Sequence, residues 1–169
     1  MSSRKGFFST VAEIILTALT SRTSRSPQEP GRSAVSGAEE RGRGAGTETV
    51  RIDPAAIPGL VIEYAPERDG APDAGEVIWT WVPYEENDGR GKDRPVLVIA
   101  RQSAVRVYAV RMTSAPRDHD RDFLSIGSGE WDSQGRESWV DIEQLYSVHD
   151  QGMRREAAAL DRTTFARVA

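Results

Sequence analysis

Gly91-Lys92-Asp93-Arg94-Pro95-Val96-Leu97-Val98-Ile99-Ala100-Arg101 is the stretch on which the fold turns. A charged, glycine-bearing loop delivers Arg94 directly onto a proline and a five-residue apolar run. Such a run, rich in β-branched residues and bounded by polar ones, reads as a buried strand over Arg94 to Arg101. A strand with a cation at its mouth can hold that cation near a surface groove while the remainder is buried. That arrangement suits recognition of a phosphate.

Working outward, the chain after Pro58 is a series of short period-two and apolar segments separated by turn residues. Leu60 to Tyr64 reads as a short strand and Glu76 to Val82 as a longer one stopped by Pro83. Val105 to Thr113 alternates, placing Val105, Val107, Ala109 and Arg111 on one face and Arg106, Tyr108, Val110 and Met112 on the other. Ser138 to Val148 is a further strand. Turn signals at Asn87-Asp88-Gly89 and Gln102-Ser103 favour a compact, mostly antiparallel barrel over βαβ units. Asp161 is a helix N-cap for a short segment carrying Phe165 and Val168. Arg154 to Leu160 stays open: propensity favours helix, its place in the fold a final strand.

The N-terminal third differs in kind. Phe7, Val11, Ile14, Ile15, Ala18 and Leu19 recur at helical spacing, predicting a short amphipathic helix over 1–20. Glu13 inside its apolar stretch, and the lack of a clean small-residue cleavage site, argue against a secretory signal or a spanning helix. Residues 21–57 are dominated by Ser, Gly, Arg, Glu and Pro and read as a disordered linker. The expected folded domain is 58–169.

The 169 residues suit one ordinary domain, and the net charge of −4 with a pI near 5.3 excludes a protein that coats nucleic acid by bulk electrostatics. Residues 1–50 hold seven Lys/Arg against five Asp/Glu, so the acidity lies in the part expected to fold. Contact with RNA or DNA must therefore be local. The chain has no cysteine, which removes disulfides and thiolate metal sites and fits a reducing compartment, with the cytoplasm as the default location.

Gly75-Glu76-Val77-Ile78-Trp79, Pro83, a polar glycine loop, Arg94-Pro95-Val96-Leu97-Val98-Ile99, Met112-Thr113-Ser114 and Glu143-Gln144 occur in an order and spacing that resembles the MazF/PemK toxin family. The resemblance runs from about Asp73 to the C-terminus. It implies a mainly β fold with short helices, an SH3-like half-open barrel of the CcdB/MazF type. It further implies a homodimer that cuts single-stranded RNA without a metal or other cofactor and is held in check by a cognate antitoxin. By the family pattern, Arg94 and Thr113 are the catalytic pair. A catalytically retired barrel that binds nucleic acid or protein is the alternative.

Those residue types fit the chemistry. Attack of a 2′-OH on the adjacent phosphate accumulates negative charge on five-coordinate phosphorus, and a guanidinium can bond two of its oxygens together. A threonine hydroxyl is too weak an acid or base to move protons alone, but it can orient the phosphate or the 2′-OH. Arg90, Lys92, Arg111, Ser114, Tyr84 and Gln144 are candidate RNA contacts around that pair. Arg111 stands where the family usually has proline. Glu85, Glu86 and Asp93 are the carboxylates that would instead tie up Arg94 at the strand end. Tyr84 and Trp131 are the aromatic residues expected to be accessible for base stacking, whereas at least one of Trp79 and Trp81 should fill the core. His119 with Asp118, Asp120 and Asp122 reads as a charged solvated turn before it reads as a metal site.

Overall fold

The computed structural model describes residues 42–67 and 70–169, with the backbone alone at 156 and 157. The helix expected over 1–20 and the first part of the expected linker lie outside the described residues. The described chain is mainly β. Seven strands form one antiparallel sheet: β1 Val50–Ile52, β2 Glu76–Pro83, β3 Gly91–Arg101, β4 Arg106–Thr113, β5 Phe123–Gly127, β6 Ser138–His149 and β7 Met153–Ala159. Their order is β1-β6-β4-β3-β2-β7, with β5 paired to β6. One helix follows, α1 Arg162–Val168, and Asp161 caps it by accepting from the Thr163 and Thr164 amides. Among the described residues no helix is long and apolar enough to cross a membrane.

The apolar run of β3 is continuous because both faces of the sheet are covered. Leu97 and Ile99 join Val77, Val110, Met112, Ile126, Val140, Leu145 and the α1 residue Phe165 on one face. Val96 and Val98 join Ile78, Val82, Val107, Ala109, Tyr146, Val148 and Met153 on the other. The second cluster takes members from five strands, among them the edge strand β7. A sheet that buries such a face against itself has to coil.

Three expectations change, one open segment resolves and one strand is new. Residues 42–57 are not a linker over their described length: β1 pairs with β6 in the register Val50–Ser147 to Ile52–Leu145, and Thr49 is buried. Thr80 Oγ1 donates to the Gly152 carbonyl at 2.8 Å and accepts from Thr49 Oγ1 at 2.8 Å. Gly42, at φ +82°, packs where an added Cβ would lie 2.7 Å from Thr80 Oγ1. Apolar content alone missed this segment because its anchors are a glycine and two threonines. Leu60 to Tyr64 is extended but pairs with no strand. Its alternation comes from packing Leu60, Ile62 and Tyr64 onto the first core while Val61 stays exposed. β3 begins at Gly91, three residues before Arg94, where the glycine lies flat against Trp81 with no room for a Cβ. Arg154 to Ala159 resolves as strand, paired to β2. β5 was not anticipated, since five residues behind a charged loop carry too little pattern.

Candidate active site

Strand register brings the site together. The β3–β4 ladder begins with Val96 opposite Arg111, and Arg94 and Thr113 lie two residues beyond that pair, each on its own strand, and line the same cleft. Arg94 is opposite Thr80 on β2, and Thr113 opposite Trp139 on β6, so both candidate residues sit on paired strands. Arg94, Lys92, Thr113 and Ser114 line one cleft of about 620 Å³, with Trp79, Trp131, Arg136 and Arg154 on its other walls.

Arg94 is half-buried and, among the described residues, its side chain makes no hydrogen bond or ion pair. Two of the carboxylates near it in the chain are engaged elsewhere. Asp93 accepts from Arg154 Nη2 at 3.2 Å, and Glu85 accepts from Gln144 Nε2 at 3.0 Å and lies 3.6 Å from Arg111. Burial, and after it the charge of Arg111, pull the Arg94 guanidinium below the usual arginine range. A cation kept partly desolvated and unneutralised is costly unless an anion arrives. Thr113 Oγ1 accepts from the Ala115 amide at 3.2 Å, which fixes the oxygen and leaves its O–H to donate.

Beside the cleft, Arg111 enters a polar chain. Its Nη2 donates to Asp141 Oδ2 at 2.5 Å, and the two side chains are only 15% and 2% exposed. Tyr146 donates its hydroxyl to Gln144 Oε1 at 2.6 Å. The hydrogen bond from Gln144 is the main reason that the Glu85 carboxyl sits below its ordinary range, and burial pushes the Tyr146 phenol up.

The candidate residues thus divide. Arg94, Thr113, Lys92 and Ser114 share the cleft, whereas Arg111 and Gln144 are committed to the chain through Glu85. Tyr84 lines a separate cavity of about 470 Å³ with Arg51 and Glu85. Arg90 is exposed and bound to Asp88 of its own turn at 2.7 Å. Trp131 is a cleft wall, its Nε1 donating to Ser138 Oγ at 3.1 Å. The expectation that Trp79 or Trp81 is core is wrong: both are only partly buried, beneath Arg154 and Arg43 at 5.4 Å, and Trp139 is the core tryptophan. Trp79 points away from the face that buries Ile78 and Val82, and Trp81 follows it. Arg136 and Arg154 were missed, because they reach the cleft from segments distant in sequence and carry no local signature. Among the described residues no cluster of three His, Asp or Glu side chains is placed to hold a metal ion, His119 and its neighbours included.

A family model described as PemK-like, MazF-like toxin of type II toxin-antitoxin system matches residues 73–169, which contain every element from β2 to α1. No curated protein sequence matches the chain.

Proposed function

The chain belongs to the PemK-like, MazF-like toxin family of type II toxin-antitoxin systems, and from that premise we propose that it is an endoribonuclease acting on single-stranded RNA at the Arg94–Thr113 cleft. The observation that carries the proposal is Arg94: partly desolvated, unneutralised among the described residues, and sharing one cleft with a threonine whose hydroxyl is free to donate.

In this reading the 2′-OH attacks the adjacent phosphorus and gives its proton to water, a 2′,3′-cyclic phosphate forms, and the bond to the 5′ oxygen breaks, that oxygen taking a proton from water to leave as 5′-OH. Arg94 bonds two equatorial oxygens as their charge grows. Its depressed proton affinity also suits it to stabilise the departing 5′ oxygen. Thr113 donates to a phosphate oxygen or orients the 2′-OH, with its own oxygen fixed by the Ala115 amide. Lys92 and Ser114 hold the flanking backbone, and Trp131 offers a stacking face for a base. Two of the cleft's carboxylates are internally paired, Asp93 with Arg154 and Asp132 with Arg136 at 2.9 Å, and oppose RNA less than bare charges would, while Glu130 also lines the cleft.

The coiled open sheet is read as the half-open SH3-like barrel of the family. The same reading gives the protein a homodimeric state and an antitoxin that covers the cleft. The test is incubation of the purified protein with a long RNA in EDTA, followed by mapping of the ends. Discrete cuts bearing 5′-OH termini, lost in Arg94→Ala and Thr113→Ala, are expected. Intact RNA at every protein excess would leave the alternative, a barrel that binds without cutting.

A further inference from the structure

The β2–β3 turn, Tyr84–Arg90, is held down by one acidic side chain. Glu85 Oε1 takes the Gln144 Nε2 hydrogen bond at 3.0 Å and faces Arg111 Nη2 at 3.6 Å. Arg51 of β1 acts on the same carboxylate electrostatically and lines the same cavity of about 470 Å³. Because Gln144 Oε1 is occupied by the Tyr146 hydroxyl, its NH2 must point at Glu85. One guanidinium and an amide donor therefore converge on Glu85 Oε1, with a second guanidinium, Arg51, on the wall of the same cavity. A phosphodiester presents the same acceptors to the same donors.

We propose that Arg111, Gln144 and Arg51 form a second phosphate site for the RNA backbone, next to the one at Arg94, and that Glu85 occupies it until RNA displaces it. This rests on the reading of the cleft as an RNA site.

The two carboxylates on Arg111 have different tasks. Asp141 is 2% exposed and bonded at 2.5 Å, so it stays and aims the guanidinium. Glu85 is 61% exposed, and a screened contact of that kind is worth little and is readily exchanged. Once Glu85 leaves, Arg111 is neutralised by Asp141 alone and Arg51 faces the emptied cavity, with Glu143 on its rim. Arg111 pairs with Val96, two residues along β3 from Arg94, which places the two phosphate positions close enough to belong to one strand of RNA. Arg51 lies outside the family-matched residues 73–169, so β1 adds a site residue that the family pattern does not supply.

The experiment uses the full chain and a fluorescein-labelled 2′-O-methyl RNA, which keeps the phosphates but cannot be cut, read by anisotropy at low salt. Glu85→Gln should bind about five- to tenfold tighter than the parent, and Arg51→Gln should bind a few fold more weakly. Glu85→Gln should give no gain in an Arg111→Gln/Asp141→Asn background, which removes both buried charges and orphans neither. An unchanged affinity, an equal gain in that background, or no measurable binding by Glu85→Gln overturns the proposal. Unmodified RNA is assayed in parallel. Tightening by Glu85→Gln without cleavage retains the phosphate site and rejects the ribonuclease, whereas cleavage without tightening does the reverse.

Discussion

Asp141→Asn is the substitution whose consequence the geometry states most sharply. Asp141 is 2% exposed, bonds Arg111 Nη2 at 2.5 Å through Oδ2 and accepts the Glu143 amide at 3.1 Å through Oδ1. Asparagine keeps the shape and the amide contact but leaves Arg111, 15% exposed and with its Nε already buried and unbonded, facing a neutral group. Removing one partner of a buried pair costs about 3–5 kcal/mol. Glu85, still 3.6 Å away but 61% exposed, returns under about 1 kcal/mol of that. The expected loss is therefore about 3 kcal/mol, and for a chain of this size that lowers Tm by roughly 6–12 °C. Urea titration followed by circular dichroism measures it, within a double-mutant cycle that adds Arg111→Gln and the Arg111→Gln/Asp141→Asn pair. The double variant should be less destabilised than the sum of the singles by more than about 1.5 kcal/mol. A single-site cost below about 1 kcal/mol, or strict additivity, would show that the pair is solvated and that Arg111 is not aimed by it.

Arg94→Lys should lose about 10²-fold or more in RNA cleavage, since an ammonium cannot make the forked contact with two phosphate oxygens; a wild-type rate would remove Arg94 from the transition state. Phe165→Ala, at a side chain 2% exposed and packed 5.4 Å from the Tyr64 ring, should cost about 3–5 kcal/mol in urea, and a cost near zero would mean that α1 is not docked on the first core. Tyr146 should ionise above the ordinary value of 10.0 because burial favours its neutral form. Its contribution to stability is present in full below that pH and is lost as pH rises through the native value, so Tyr146→Phe should flatten the alkaline decline. Absorbance at 295 nm against pH, with Tyr146→Phe as reference, checks this; an unchanged titration would place the phenol in water.

Much of the sheet is legible in the chain because its main strands have strong local causes. Val96 to Ala100 is apolar on both faces and too short for a helix of its own. The alternation of Val107 and Ala109 against Val110 and Met112 matches the two cores residue for residue. Asp161 announces α1 through the two amides that it caps. Segments held by other means did not declare themselves. Thr49 and Gly42 anchor through a hydroxyl and a missing Cβ, and Leu60 to Tyr64 alternates like a strand without pairing as one. Period two reports which side chains are covered, whatever covers them.

The sequence by itself established the antiparallel β character of the segments that form β2, β3, β4 and β6, the cation ahead of the apolar run of β3, and a threonine at the end of β4. It could not say whether Arg94 was free, because Glu85, Glu86 and Asp93 stand near it in the chain and any of them could have neutralised it. Only the tertiary structure decided that, by supplying competitors from afar: Arg154 of β7 takes Asp93, and Gln144 of β6 with Arg111 of β4 takes Glu85. Whether a charge is paired depends on every group within a few ångströms of it. In a sheet ordered β1-β6-β4-β3-β2-β7 most of those groups lie on other strands, dozens of residues away.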